Sequence, residues 1–85
     1  MKRDEIISQI NSTLAENFEL DQAKLIPEAL IVDDLKLDSL DAVDMLVHLE
    51  DKINLKLDVE KLKEARTLGD IYNLVEEAIK TSSQG

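Results

Sequence analysis

The sequence predicts an all-α fold: a small four-helix bundle with a long loop between helices 1 and 2 and a short third helix. Apolar residues, mostly Leu, Ile, Val and Ala, make up 44% of the 85 residues. They recur three and four positions apart, the spacing of a helix that buries one face. With only one Pro and two Gly, the chain encodes few turns.

The first helix is predicted over about residues 3–17, and residues 18–37 form the long loop. The apolar stripe of this helix comprises Ile6, Ile7, Ile10, Leu14 and Phe18. Pro27 interrupts any helix in the loop. Five apolar loop residues are expected to anchor it to the core: Leu25, Ile26, Leu30, Ile31 and Leu35. A connection of about 20 residues is unusual in a compact domain and is often functional.

Two aspartates mark the start of the second helix, which is predicted from Ser39 to about Asn54. Asp38 is a good N-cap, and Asp41 stands at the N3 position. Both carboxylates suit the positive end of the helix dipole.

Capping residues also mark the two remaining helices. Asp58 can cap a short third helix, about residues 59–64. Thr67 can cap a fourth helix, about residues 68–80, and Asp70 at N3 completes a capping box.

The composition excludes several classes of protein. Without Cys, the chain has no disulfide, no thiolate zinc site and no thiol catalysis. No apolar run approaches the roughly 20 residues that span a bilayer, and the N-terminus lacks the apolar stretch of a signal peptide. We therefore expect one cytoplasmic domain over residues 1–80, followed by a flexible C-terminal tail at residues 81–85.

The charge of the chain is strongly acidic and unevenly distributed. The net charge of −9 argues against binding to nucleic acid or to anionic lipid. Residues 37–51 hold five acids and no Lys or Arg. The acidity is therefore concentrated around Ser39.

The second helix, projected at 100° per residue, has an unusual outer face. Its apolar arc comprises Ala42, Val43, Met45, Leu46, Leu49 and Ile53. The opposite side carries Asp41, Asp44, His48, Asp51 and Lys52. Leu40 and Val47 lie away from the centre of the apolar arc, beside acids. An acidic face with apolar residues set into it favours a docking surface over a merely solvated one.

Ser39 could be a helix cap, a nucleophile or a site of covalent attachment. The only histidine, His48, is nine residues along the same rigid helix, roughly 13 Å away, so Ser39 lacks a catalytic base. If Asp38 caps the helix, the Ser39 side chain at N1 is free. A phosphodiester attached there would meet the positive end of the helix, so attachment fits better than a redundant cap.

A metal site is not expected near this helix start. Asp33, Asp34, Asp38 and Asp41 lie close together in sequence, but the pattern of a calcium-binding EF-hand loop is absent.

Two segments of the chain resemble segments of acyl carrier proteins. Residues 33–41, D-D-L-K-L-D-S-L-D, resemble the D-L-G-x-D-S-L-D segment of that family. Residues 66–71, R-T-L-G-D-I, resemble the T-V-G-D segment that opens the last helix. The resemblance covers residues 3–80. Two positions depart from the family pattern: Lys36 replaces a Gly, and Lys52 stands where the acidic run often continues.

The resemblance implies a carrier that is not itself an enzyme. A phosphopantetheinyl transferase would move 4′-phosphopantetheine from coenzyme A onto Ser39, which Asp38 and Leu40 flank. The arm would hold acyl intermediates as thioesters for fatty acid, lipid or polyketide-type biosynthesis. Acyl-transferring or acyl-modifying enzymes with basic patches would dock on this monomer through Leu40, Asp41, Val43, Asp44, Val47, Glu50 and Asp51.

Two other interpretations stay open at this point. The main alternative is a small acidic helical protein-interaction module without a prosthetic group, in which Ser39 is a plain cap residue. The other is a buffer of divalent ions.

Overall fold

The computed structural model describes residues 2–84, with side chains as far as Thr81, and its helices confirm the all-α prediction. The helices are α1 (Arg3–Phe18), α2 (Ser39–Ile53), α3 (Val59–Glu64) and α4 (Leu68–Gln84). We call residues 19–38 the first loop; it contains one 3-10 turn, Gln22–Lys24.

Helix α4 continues beyond its predicted end at residue 80. The domain limit at residue 80 and the flexibility of residues 81–85 stay predictions, and Gly85 lies outside the described residues.

The four helices enclose one apolar core. α1 packs against both α2 and α4, and the short α3 bridges α2 and α4. Each long helix contributes one face, as the 3.6-residue period requires. The side chains at the centre of the core are Ile6, Ile10, Leu14, Met45, Leu46, Leu49, Leu68, Ile71, Tyr72 and Val75.

The predicted caps of α2 and α3 are confirmed. Asp38 Oδ1 accepts the backbone N–H of Asp41 at 2.9 Å, and Asp41 Oδ2 accepts that of Asp38 at 3.3 Å. Asp58 Oδ1 accepts the backbone N–H of Glu60 at 2.9 Å. Each bond satisfies an N–H that a helix start leaves without an intrahelical partner.

The capping box of α4 is confirmed as well. Thr67 Oγ1 accepts the backbone N–H of Asp70 at 3.2 Å. In return, Asp70 Oδ2 accepts the N–H groups of Arg66 at 3.0 Å and Thr67 at 3.1 Å. These backbone donors, Arg66 first, hold the pKa of the Asp70 carboxyl below its ordinary value.

Backbone hydrogen bonds fix the first loop to the start of α4. The three bonds, each 2.9 Å, run from N of Ile31 to O of Arg66, from N of Leu68 to O of Ala29, and from N of Gly69 to O of Pro27. Leu30 and Thr67 form the antiparallel bridge at their centre. A connection of this length is thereby held as a defined structure.

Three of the five predicted loop anchors are buried: Leu25, Ile31 and Leu35. The prediction is wrong for Ile26, which is 48% exposed, and for Leu30, which is 38% exposed. In extended backbone, neighbouring side chains face opposite sides, so a bridge at Leu30 that buries Ile31 turns Leu30 outward. For the same reason Ala29, on the other side of Leu30, is buried.

A buried polar contact joins α4, α1 and the first loop. The hydroxyl of Tyr72 donates to Asn11 Oδ1, and Asn11 Nδ2 donates to the carbonyl of Leu25 at 3.4 Å. Burial raises the pKa of the Tyr72 phenol, and the hydrogen bond to Asn11 opposes this rise. The contact satisfies the one polar group of a fully buried aromatic side chain.

Gly69→Ala is expected to lower the free energy of unfolding by about 1 kcal/mol, through overpacking that exceeds the gain in backbone entropy. The new Cβ would lie 3.1 Å from the carbonyl oxygen of Pro27, which the N–H of Gly69 itself binds. Urea denaturation measures the change. Asn73→Ala, at an exposed position of the same helix, is the control and should stay within about 0.5 kcal/mol of the parent. A Gly69→Ala protein as stable as the parent would mean that the first loop shifts away from the new methyl group without loss of stability.

Asp70→Asn is expected to destabilise the protein by about 1 kcal/mol at pH 7, because an amide oxygen accepts the same N–H groups more weakly than a carboxylate does. Because the folded-state pKa of Asp70 is lowered, its stabilisation is complete above the unfolded-state value of about 3.9. It is lost as the pH falls through the folded-state pKa. Denaturation of both proteins from pH 7 to pH 2.5 should therefore show a difference in stability that narrows below about pH 4. A difference that stays constant with pH would contradict the role of this carboxylate.

Candidate functional site

Ser39 is the first residue of α2, and its side chain is exposed. The capping hydrogen bond to the backbone of α2 comes from Asp38, one residue earlier. The Ser39 hydroxyl is therefore not needed to complete the helix. It stands at the end of α2 where free N–H groups and the helix dipole favour negative charge.

A cavity of about 90 Å³ opens beside Ser39, between the first loop, α2 and α3. The apolar residues that line it include Ile31, Val32, Leu37, Val43 and Leu62. Ser39 and Lys63 line the same cavity, so a hydroxyl, a cation and an apolar wall meet there. A sequence pattern gives no sign of this cavity, because its walls come from three separate segments.

The backbone turns sharply just before Ser39. Lys36 adopts the left-handed conformation, with φ of 59°. A residue with a Cβ is disfavoured there by about 1 kcal/mol, and Gly is not. Backbone geometry at position 36 therefore favours Gly, the residue of the family pattern, over the Lys that this chain has.

The outer face of α2 has the exposure that the helical projection predicts. Leu40 is 79% exposed and Val47 is 54% exposed, which is unusual for side chains of this size. Asp44 and Asp51 are exposed beside them. We call Leu40, Asp44, Val47 and Asp51 the exposed α2 face.

The other three predicted docking residues are half-buried, and each has a role inside the fold. The Asp41 carboxylate belongs to the capping box of α2. Glu50 Oε2 accepts the backbone N–H of Leu57 at 2.8 Å and so holds the linker between α2 and α3. Val43 lines the cavity beside Ser39.

Two further side chains of α2 bear on its charge. His48 is exposed, and its Nε2 lies 3.6 Å from Asp44 Oδ2. Lys52 reaches back to α1, with its Nζ 3.4 Å from Thr13 Oγ1 and 3.7 Å from Glu16 Oε2. The positive charge of Lys52 therefore lies on the α1 side of the helix, near Glu16.

Over residues 2–84, the structure contains no group of three or more His, Asp or Glu side chains that could hold a metal ion. Within that same range, no helix is long and apolar enough to cross a membrane.

The chain matches known proteins over most of its length. Residues 8–75 match the model of a family described as phosphopantetheine attachment site. The chain is 38% identical to acyl carrier protein 2 of Ralstonia nicotianae, over 89% of this chain and 94% of the relative. It is 35% identical to an acyl carrier protein of Thermotoga maritima, over 91% of this chain and 95% of the relative.

A solved structure supports the fold independently. The crystal structure of an acyl carrier protein from Thermotoga maritima superimposes with a TM-score of 0.81, over 95% of this chain and 94% of that chain. The identity in this comparison is 22%, so it bears on the fold alone. The family match and the two relatives above 30% identity establish that the chain belongs to the acyl carrier protein family, whose members carry 4′-phosphopantetheine and are not enzymes.

Proposed function

We propose that Ser39 carries the 4′-phosphopantetheine and that the chain holds acyl intermediates as thioesters on this arm. The observation that carries the proposal is the exposed Ser39 hydroxyl at the first position of α2, where Asp38 already supplies the cap. A serine placed there is free to react without cost to the helix. Asp38, which precedes Ser39, caps α2, and Leu40, which follows Ser39, is exposed.

The surroundings of Ser39 fit the group. A phosphodiester on this hydroxyl adds negative charge at the positive end of α2. The adjacent cavity offers an apolar wall at the base of the arm. When bound, 4′-phosphopantetheine supplies a terminal thiol that forms thioesters. The chain's own residues hold the serine and present it at the surface.

We further propose that the exposed α2 face is where the transferase and the acyl-handling enzymes dock. Leu40 and Val47 would supply apolar contact, while Asp44 and Asp51 would steer partners with basic patches. Asp41, Val43 and Glu50 would contribute from the half-buried margin of this face. We place this carrier in the cytoplasm, as a monomer, in fatty acid, lipid or polyketide-type biosynthesis.

Incubation with coenzyme A and a phosphopantetheinyl transferase is expected to add one phosphopantetheinyl group to the parent chain and none to Ser39→Ala. Intact-mass spectrometry measures the addition, and peptide mapping locates it. Ser39→Ala should stay folded because Asp38 still caps α2. Ser12→Ala, on α1, is the control and should be modified like the parent. A modified Ser39→Ala chain would refute the assignment, and an unmodified parent would favour an interaction module.

Asp44→Lys and Val47→Asp are each expected to lower kcat/KM for this modification about tenfold, the equivalent of ~1.4 kcal/mol. Both side chains are exposed, so the free energy of unfolding should change by less than about 0.5 kcal/mol. Glu77→Lys, an exposed position on α4, makes the same charge change away from α2 and should leave the rate unchanged. If Val47→Asp unfolds the protein, or if Glu77→Lys slows the reaction equally, the docking assignment fails.

A further inference from the structure

Lys63 is the cation that the fold brings to the cavity beside Ser39. The two residues lie 24 positions apart in sequence, on α3 and α2, and both line this cavity of about 90 Å³. The lysine side chain is long and flexible, so its ammonium group can turn toward a group attached to the Ser39 hydroxyl.

Lys63 forms no ion pair within 4.0 Å in the described part of the chain. The ion pairs within 4.0 Å there involve Arg3, His48, Lys52 and Lys80 as cations. Asp38 lines the same cavity, but no ion pair within 4.0 Å joins it to Lys63. Unlike Lys52 and Lys80, Lys63 has no acidic partner within 4.0 Å among the described residues.

We infer that Lys63 pairs with the phosphodiester that joins the arm to Ser39. This inference rests on the proposed attachment of 4′-phosphopantetheine to Ser39. The phosphodiester brings one negative charge into a stretch, residues 37–51, that already holds five acids. Lys63 comes from outside that stretch and offsets the added charge at its source. It thereby holds the base of the arm on the α3 side of Ser39.

Two other lysines of the chain serve as comparisons. Lys61 stands on the same helix, but it lines a different hollow, with Leu55 and Leu74. Lys36 precedes Ser39 by three residues and is exposed, but it does not line the cavity. Proximity in sequence therefore favours Lys36, whereas the tertiary structure favours Lys63.

The test is ³¹P NMR of the modified protein as the parent chain and as Lys63→Gln, Lys63→Arg, Lys61→Gln and Lys36→Gln. Spectra are recorded at about 10 mM and about 500 mM NaCl, since salt screens an exposed pair over a Debye length that falls from about 30 Å to a few ångströms. Intact mass verifies one group on Ser39 in each protein, and circular dichroism verifies the fold.

The expected result is a phosphodiester resonance that moves with salt in the parent chain and is already displaced at low salt in Lys63→Gln. Lys63→Arg should restore the parent position because it keeps the charge. Lys61→Gln and Lys36→Gln should match the parent. A resonance indifferent to Lys63→Gln, or displaced equally by Lys61→Gln or Lys36→Gln, overturns the inference while leaving the proposed function intact. A chain that accepts no group on Ser39 overturns both.

Discussion

The backbone bridge between the first loop and the start of α4 is the contact on which the position of Ser39 depends. Main-chain bonds at 2.9 Å hold the loop against this helix start, with Leu30 and Thr67 at the centre. From there Leu37, whose N–H donates to the carbonyl of Ile31 at 3.0 Å, leads directly into the cap of α2. On the α4 side, the Asp70 carboxylate accepts the N–H groups of Arg66 and Thr67. The cap of α4 and the bridge together therefore fix the end of the first loop that leads to Ser39.

Two groups of aspartates in this chain have different roles. Asp38, Asp41 and Asp70 accept backbone N–H groups at helix starts, where a carboxylate stabilises the helix. Asp44 and Asp51 lie on the exposed surface of α2, where charge adds little to stability and is available to the basic partners that we propose. The net charge of the chain counts both groups alike, so it overstates the charge that α2 exposes.

Three of the eight lysines of the chain are each placed differently by the fold. Lys36 occupies a left-handed turn, so its backbone rather than its charge is the unusual feature. Lys52 is turned toward Glu16 of α1 and leaves the exposed α2 face acidic. Lys63 lines the cavity that contains Ser39. Lysines that look alike in the sequence thus have three different surroundings in the structure.

The sequence by itself determined the helix starts, the cap at Asp38 and the exposure of Leu40 and Val47, because caps and helical periodicity are local and repeat every few residues. It also identified Ser39 as a candidate attachment site, through its place beside that cap. Only the tertiary structure decided which loop residues are buried, since the bridge at Leu30 depends on α4, far along the chain. The tertiary structure also decided that a cavity forms at Ser39 and that Lys63 lines it. Each requires the packing of α3 against α2, and no local pattern encodes that contact.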